Sequence, residues 1–402
     1  LEGTQLTWEL AGDGKQIFAG VLAPFTLDPK QKKSLFIPIP KFTPEPGVDY
    51  YLNLRCILVN DRGILNKGHV LAYEQFRLPQ QVKPEFTELD KAHPLKVTRK
   101  GQQVRIEGKR FSVTFDSLKG ILSSIVFNGT EFLQAGPVPN FRRAPTDNDI
   151  GNDLYDRCKV WFDASEQRSL TEFRIDRVSD HEVKVTTDLS FRDVNAKESI
   201  QYTVLASGDI LVDVAFRPES GKLPEIPRFG LNLQVSGMLG NVRYLGRGPW
   251  ENYWDRNTSS LVGLYKATVD SMFVPYVRPQ EYGYRTDVKW FTLTGDDGAG
   301  LLFSGSPAIC FSALPFSYDD MKGFEQGGKH SADLQKRTFI DLNVDYRQQG
   351  VGGDDSWGAR VHPEYTLPCK EYSYSFRIRP FDSAKEDPSI LGRQLYATSE
   401  SR

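Results

Sequence analysis

The sequence predicts an all-β protein with more than one domain, and three observations lead to that prediction. Polar and apolar residues alternate over stretches such as 50–58 and 183–191, which is the period of a half-buried strand. Aromatic residues make up 12% of the chain, with 17 Tyr and 25 Phe, and such side chains favour a pleated surface. The chain has 402 residues, enough for two or three domains that each bury a core.

Turn residues between alternating runs predict hairpins. Ser207-Gly208-Asp209 separates two such runs, and Asp297-Gly298 lies where a second hairpin should reverse direction. A further alternating run covers residues 372–378. Helical patterns are scarce: Asp387-Pro388-Ser389 can start one short terminal helix, and residues 154–162 fit either a helix or an ordered loop.

A proline-rich stretch at 79–94 marks the expected domain boundary. We expect residues 1–80 to form an immunoglobulin-like β-sandwich of seven or so short strands, although the Cys…Trp…Cys spacing of true immunoglobulin domains is missing. Residues 81–93 are then a linker. Residues 94–381 are too long for a simple sandwich and predict one large antiparallel β-sandwich. The tail at 382–402 has no assigned role.

Charge and cysteine content exclude several function classes. Lys plus Arg number 50 and Asp plus Glu 52, so the net charge of −2 gives no electrostatic footprint for nucleic acid or an anionic membrane. The cysteines lie far apart without a C-x-x-C pair, which argues against zinc and against a disulfide framework. We expect four free thiols at Cys56, Cys158, Cys310 and Cys369.

The amino terminus leaves the cellular compartment open. The chain begins at Leu1, without an initiator Met and without a signal-like segment. We therefore expect that processing or cloning removed whatever preceded it. The residues at this end therefore do not decide between cytoplasm and periplasm.

Several standard chemical sites are missing from the sequence. There is no H-E-x-x-H, no G-x-S-x-G, no Walker loop and no G-x-G-x-x-G. Asp147, Asp149 and Asp153 resemble a calcium loop, but Gly falls at 151 rather than 152, and Cys158 stands where a bidentate Glu is needed. We therefore assign no metal site to the chain.

Three dense clusters of aromatic, acidic and glycine residues lie on predicted loops, at 140–151, 245–256 and 350–357. Sugar sites use such residues, because flat rings cover the apolar face of a pyranose while carboxylates and amides bind its hydroxyls. The alternative is that carboxylates and arginines pair with one another in buried loop networks. The candidate residues in the first two clusters are Arg143, Asp147, Asn148, Asp149, Glu251, Asn252, Tyr253 and Asp255.

Four sequence runs resemble the carboxy-terminal half of the large bacterial β-galactosidases of glycoside hydrolase family 2. Residues 141–151 look like that family's R-A-P-x-D-N-D-I-G run, and residues 248–256 match G-P-x-E-N-Y-x-D-R. Residues 275–283 are similar to P-Y-V-x-P-x-E-x-G, and residues 352–357 match G-G-D-D-S-W without change. Together and in this order the runs are specific, and the resemblance extends over nearly the whole chain.

The resemblance implies a fold and a division of labour. Residues 1 to about 80 look like the sandwich that precedes the terminal domain, and 94–381 like the "small chain" domain, a galactose-mutarotase-like β supersandwich. In the family, the catalytic glutamates lie on a (β/α)₈ barrel with magnesium and sodium beside them, and the barrel precedes both domains. Nothing in this sequence reads as that barrel. We therefore carry over no catalytic residue, no metal ligand and no cofactor.

One position of the family's sugar site maps onto this chain. Trp357 resembles the aromatic platform for the sugar on the leaving-group side, with Asp354, Asp355 and Ser356 supporting its loop. The resemblance also implies the partners of the chain: a galactoside, the preceding domains of the same polypeptide, and further copies in a homo-oligomer of the complete enzyme.

Two other functions compete with a non-catalytic module of a retaining β-galactosidase. One is an autonomous carbohydrate-binding module that uses the concave face of the supersandwich. The other is a mutarotase-like enzyme, which needs a His base and a carboxylic acid converging on the sugar. His181, His330 and His362 lie in no motif that supports that role. The chain on its own is expected to be inactive as a glycosidase.

Overall fold

The computed structural model describes residues 2–89, 92–164, 166–219, 222–321, 329–355 and 358–396. The chain divides into two compact units. Unit 1 comprises Leu1–Phe86 with Arg393–Leu395, and unit 2 comprises Thr87–Gly392 with Tyr396–Arg402. The domain limits derived from the sequence stay predictions, because compactness alone does not test whether a segment folds independently.

Unit 1 contains one antiparallel sheet in the order β2-β1-β3-β4. Its strands are β1 (Thr4–Gly12), β2 (Lys15–Val21), β3 (Tyr50–Leu58) and β4 (Val70–Arg77). β1 and β3 pair with Leu10 opposite Leu52, so that both leucines enter one core. Trp8 and Tyr50 are buried in the same core.

The expectation of seven or so strands in this unit is wrong, because the described part of 1–80 holds four longer strands. The segment between β2 and β3 forms no strand, and its one described bridge is an isolated pairing of Pro46 with Val82. It carries Pro24, Pro29, Pro38, Pro40, Pro44 and Pro46. Proline has no N–H to donate to a neighbouring strand. Side chains of this segment, including Ile37, Ile39 and Phe42, instead pack on the core of the sheet.

Unit 2 begins with a five-stranded antiparallel sheet in the order β10-β9-β8-β7-β6. A two-residue strand, β5 (Phe86–Thr87), precedes it in the chain. The strands of the sheet are β6 (Lys96–Lys100), β7 (Gln103–Glu107), β8 (Phe111–Asp116), β9 (Ile121–Phe127) and β10 (Thr130–Glu131). Alternate residues of β7 and β8, such as Val104 and Val113, are fully buried.

A twelve-stranded antiparallel sheet forms the rest of unit 2. Its main path is β11-β16-β21-β20-β22-β15-β14-β13-β12, while β17 pairs with β18 and β19, and β19 pairs with β20. The strands are β11 (Leu133–Asn140), β12 (Arg168–Arg177), β13 (Glu182–Phe191), β14 (Ala196–Leu205), β15 (Ile210–Pro218), β16 (Arg228–Ser236), β17 (Asn241–Gly248), β18 (Leu261–Thr268), β19 (Arg285–Thr294), β20 (Ala299–Leu314), β21 (Phe339–Gln348) and β22 (Tyr372–Asp382). A last two-residue strand is β23 (Leu395–Tyr396).

Short helices join some of these strands: α1 (Asp147–Gly151), α2 (Leu154–Ala164), α3 (Tyr318–Met321) and α4 (Pro388–Arg393). The segment at 154–162 is thus a helix rather than a loop, because Leu154, Cys158 and Trp161 recur at helical spacing and bury one face. Trp161 packs on Phe141 with ring centroids 5.5 Å apart. No helix in the described ranges is long and apolar enough to cross a membrane.

The sequence predictions of class and hairpins are confirmed. The protein is all-β, with a smaller sheet unit followed by a large antiparallel one. β14 and β15 form the hairpin at Ser207–Asp209, and β19 and β20 form the one at Asp297-Gly298. The terminal helix α4 is present, and all four cysteines are free thiols.

Candidate functional site

The first sequence cluster is organised around Arg143, whose side chain is fully buried. Its Nε and Nη2 donate to the two carboxylate oxygens of Asp149 at 3.0 and 2.7 Å, a bidentate pair. Helix α1 positions that carboxylate through a capping box: Thr146 Oγ1 accepts from the N–H of Asp149, and Asp149 accepts from the N–H of Thr146. Burial alone would lower the pKa of Arg143, but Asp149 raises it above the usual value.

The same cluster holds the backbone of a distant loop. Arg143 donates from Nη1 to the carbonyl of Gln349 at 2.6 Å and from Nη2 to that of Gly350 at 2.9 Å. Asn148 donates to the carbonyl of Val351 at 3.1 Å. Three consecutive carbonyls at the start of the 350–355 loop are therefore bound by side chains from around α1.

The second cluster binds the other side of this loop. Asp255 Oδ2 accepts from the N–H of Val351 at 2.9 Å and from that of Gly352 at 2.7 Å. The approach is so close that a Cβ on Gly350 would lie 2.5 Å from the same oxygen, so a larger residue there would displace the Asp255 carboxylate. We call the set formed by Arg143, Asn148, Asp149 and Asp255 around residues 349–352 the loop network.

The rest of the second cluster is also tied to structure. Glu251 accepts from the N–H of Gly283 at 2.8 Å and pairs with Arg256 and Tyr276. Burial, followed by Glu251, raises the pKa of Tyr276 to about 12. Asn252 and Tyr253 are buried, with Asn252 accepting from Thr286 and Tyr253 stacked on Tyr284 at 5.5 Å.

Residues 353–355 of the third cluster are exposed. Asp354 Oδ1 lies 2.9 Å from His362 Nε2, and Asp355 accepts from the N–H of Ala359 at 3.2 Å. The hydrogen bond and charge of Asp354 raise the pKa of His362. Ser356 and Trp357 lie outside the described residues, so the proposed sugar platform stays a prediction.

The three aspartates of the suspected calcium loop do not converge on an ion. Asp149 binds Arg143, while Asp147 is exposed and accepts from Gln280 at 3.0 Å. Across the described ranges no group of three or more His, Cys, Asp or Glu side chains could hold a metal. These residues do not fit the magnesium and sodium sites that the resemblance implies for the barrel, so no step is derived through those ions.

Sequence reasoning missed three residues that extend the loop network. Glu281 accepts from Arg228 at 2.8 Å and from Gln348 at 3.0 Å, and Gln348 in turn accepts from Arg143 at 3.3 Å. Glu281 lies inside a quoted motif, but Arg228 and Gln348 lie at the ends of strands β16 and β21. A signal was available for Arg228, because an arginine that begins a strand of apolar residues is expected to be buried and therefore needs an acidic partner.

Comparison with known proteins decides the family. A family model described as "Beta galactosidase small chain" matches residues 107–378, and one described as "Beta-galactosidase, domain 4" matches residues 1–79. The chain belongs to the β-galactosidase small chain family. The resemblance stated from the four sequence runs is thereby confirmed.

Two curated relatives show how much of a β-galactosidase is present. A "Beta-galactosidase" of Priestia megaterium is 35% identical over 355 residues, which is 88% of this chain and 34% of the relative. One of Streptococcus thermophilus is 33% identical over 332 residues, 81% of this chain and 31% of the relative. The chain thus spans about a third of the length of these relatives. Among solved structures, a galactose 1-epimerase of Lactobacillus acidophilus matches 72% of this chain and 99% of its own, with 10% identity and a TM-score of 0.40.

Proposed function

We propose that this chain is the non-catalytic carboxy-terminal region of a β-galactosidase that hydrolyses terminal β-D-galactosides with retention. Family membership supports the proposal, as do relatives of about three times the aligned length that are named β-galactosidases. The partners are then a galactoside and the preceding domains of the same polypeptide, in a homo-oligomer of the complete enzyme. Catalytic glutamates, magnesium and sodium belong to those preceding domains.

The role proposed for this chain is to complete the leaving-group side of the sugar site with the 350–357 loop. One observation carries this role: the loop network fixes the loop's first residues, while residues 353–355, which follow them, are exposed. The side chain of Asp354 is 80% exposed, although Asp255 and Arg143 hold the backbone two to four residues before it. A loop that was only structural would have no need of such a buried anchor beneath an exposed end.

The chemistry of residues 354–357 suits a sugar. Trp357 would cover the apolar C–H face of the leaving-group sugar, and Asp354 and Asp355 would stay close enough to hold the loop or accept from hydroxyls. A ring stacked in this way contributes on the order of 1 kcal/mol beyond area burial, by analogy with aromatic pairs. The contribution would favour a sugar acceptor over water.

The first test uses the 402-residue chain by itself. Purified chain should not cleave a chromogenic β-galactoside, because a retaining glycosidase needs two carboxyl groups about 5 Å apart across the scissile bond. The complete polypeptide, assayed in parallel, should cleave it. Turnover by the isolated chain at an ordinary enzyme rate, with contamination excluded, would contradict the non-catalytic role.

The second test places Trp357→Ala in the complete polypeptide. Transfer of galactose to an added sugar acceptor should fall more than hydrolysis, and the melting temperature should hardly move. Trp250→Ala is the matched control, because Trp250 is 73% exposed and lies in a neighbouring motif run. A melt lowered by many degrees with acceptor use intact would make Trp357 a core residue. An acceptor defect in Trp250→Ala alone would assign the platform to the wrong tryptophan.

A further inference from the structure

Strands β11, β16 and β21 present a polar face to a cavity in unit 2. Asn232 lies opposite Asn343 and Gln234 lies opposite Asp341 in the β16–β21 register. Residues two apart on a strand and directly opposite on its neighbour share a face, so these four side chains form one patch. We call this patch the polar strand face. The residues between them, such as Leu233 and Leu342, are buried on the other side.

The cavity beside the polar strand face has a volume of about 140 Å³. For comparison, a cavity of about 150 Å³ is large enough to take up a six-membered ring such as benzene. Here, however, the walls carry amides, carboxylates and guanidinium groups beside alkyl groups such as those of Val138, Leu314 and Met321. The polar lining includes Asn140, Arg142, Glu166, Arg168, Arg228, Asn232, Gln234, Glu281, Asp319, Asp341 and Asn343.

Hydrogen bonds orient most of the polar strand face. Asn232 donates to Asp341 at 2.8 Å and to Asn343 at 3.1 Å, while Asn343 donates to Ser312 at 3.0 Å. Asn140 donates to the same oxygen of Asn343 at 2.9 Å. The acceptors and donors are therefore fixed before any ligand arrives, which lowers the entropic cost of binding.

Gln234 differs from its neighbours. Its side chain is partly buried and lines the cavity, yet within the described part of the chain the amide forms no hydrogen bond to protein. An amide carries both donors and an acceptor, and leaving them unmatched in a half-buried position costs free energy unless water or a ligand binds them. The amide of Gln234 is therefore available to bind a ligand, while the neighbouring side chains are already held by hydrogen bonds.

The charges of the lining select the ligand class. Arginine and carboxylate groups are interspersed: Arg228 pairs with Glu281 at 2.8 Å, and Arg142 pairs with Glu166 at 2.7 Å. The carboxylate of Asp341 would repel a phosphate or a polyanion, and the arginines would repel a cation. Balanced donors and acceptors fit a neutral ligand with several hydroxyl groups. Burial raises the pKa of Asp341 to about 6, so this carboxyl can accept from or, when protonated, donate to a hydroxyl.

We propose that this cavity is a second saccharide site, which binds one neutral sugar ring through Gln234, Asn232 and Asp341. None of residues 350–355 lines the cavity, and the proposal does not depend on the function proposed for the 350–357 loop. It gives the β-galactosidase small chain domain a binding activity of its own, as an autonomous carbohydrate module would have.

The test is calorimetric titration of the 402-residue chain with D-galactose and with D-glucose at millimolar concentrations. At least one sugar should bind saturably. Gln234→Leu should weaken binding about tenfold, the loss expected for one hydrogen-bonding group left unmatched. Since Gln234 has no protein partner to lose, this variant should keep its melting temperature. Gln201→Leu is the matched control, because Gln201 is also a half-buried strand residue, on β14, and does not line the cavity.

A second variant keeps the test decisive. Asp341→Asn removes the charge with little change of shape and should also weaken sugar binding. Saturable binding that survives both Gln234→Leu and Asp341→Asn but is lost in Trp357→Ala would put the sugar on the loop and overturn the proposal. So would the absence of saturable heat with either sugar, or tighter binding of inorganic phosphate. None of these outcomes would alter the acceptor kinetics that test the proposed function.

Discussion

The loop network and the polar strand face are built from the same residue types, but the first stabilises the fold and the second is proposed to bind a ligand. In the loop network, Arg143 and Asp149 are buried, and every hydrogen-bonding group of these two side chains has a partner, in part backbone. On the polar strand face, Gln234 is left without a protein partner in the described structure. The difference teaches that a buried polar group serves stability where it is saturated, and is available to a ligand where it is not. Substitutions should therefore cost stability in the first region and binding in the second.

The largest expected effect is that of Arg143→Ala. Removing the guanidinium leaves Asp149 buried without its partner and frees two loop carbonyls, so the free energy of unfolding should fall by about 3–5 kcal/mol. Urea denaturation of the isolated chain measures this. Arg217→Ala is the control, because the Arg217–Glu371 pair is largely exposed and should contribute little. Equal losses in the two variants would remove the distinction between the buried network and surface ion pairs.

The sequence was sufficient to predict which residues belong to the loop network, but not what their side chains bind. Asp149, Asn148 and Asp255 lie in motif runs that can be read directly. Their side chains could equally have faced a sugar, and only the fold shows that Asn148 and Asp255 bind the backbone of Val351 and Gly352, while Asp149 holds the arginine that binds Gly350. Spacing along a chain does not encode which distant loop a carboxylate will meet. The described members of the network follow the alternative in which the groups pair with one another.

The polar strand face escaped prediction for a different reason. Alternation of Asn232 and Gln234 with leucine reads as a strand with one solvated face, which is the common case for an antiparallel sheet. Here that face borders a cavity inside the domain. In unit 1, the strand count failed because the apolar residues between β2 and β3 are interspersed with prolines, which lack an N–H to donate to a neighbouring strand. Local pattern fixes an element's period, and tertiary packing decides what covers it.

Glu198 supplies a third case, a buried carboxyl with no hydrogen-bond partner for either oxygen in the described structure. Burial raises its pKa from the usual 4.5 to about 8, with Arg168 opposing the shift. The folded state then holds a proton that the unfolded state releases, so stability should fall as the pH rises from about 4.5 to about 8 and level off above that. Glu198→Gln stays neutral and should remove this fall.

The measurement is the free energy of unfolding of wild type and Glu198→Gln at several pH values. The variant's advantage should grow by up to about 1.4 kcal/mol per pH unit through this window. Glu172→Gln is the control, because Glu172 is half-exposed. A constant difference between Glu198→Gln and wild type would show that Glu198 is ionised in the folded protein and has a partner.

Asp255→Asn should have a smaller effect that is local to the loop network. The carboxylate accepts two backbone N–H groups, and a neutral amide accepts them less strongly, so stability should fall by about 1–2 kcal/mol. Amide hydrogen exchange at Val351 and Gly352 should become faster. Gln234→Leu, on the polar strand face, should leave both amides as protected as before. If it exposed them equally, the two regions would act as one.

The smallest effect concerns the exposed pair of Asp354 and His362, which lies at the open end of the same loop. Asp354, and after it Glu364, raises the pKa of His362 above its usual 6.5. The pair's contribution is therefore present below that usual pKa, where the imidazole is charged, and is lost as the pH rises through the raised value.

Asp354→Asn should lower the pKa of His362 in an NMR titration without a measurable change in melting temperature, because both side chains are more than half exposed. Asp355→Asn, which removes a carboxylate bonded to backbone instead, should leave that titration in place. If Asp354→Asn left the pKa of His362 unchanged, residues 353–355 would be held only by the loop network. If Asp354→Asn lowered the melting temperature, residues 353–355 would themselves be part of the anchor.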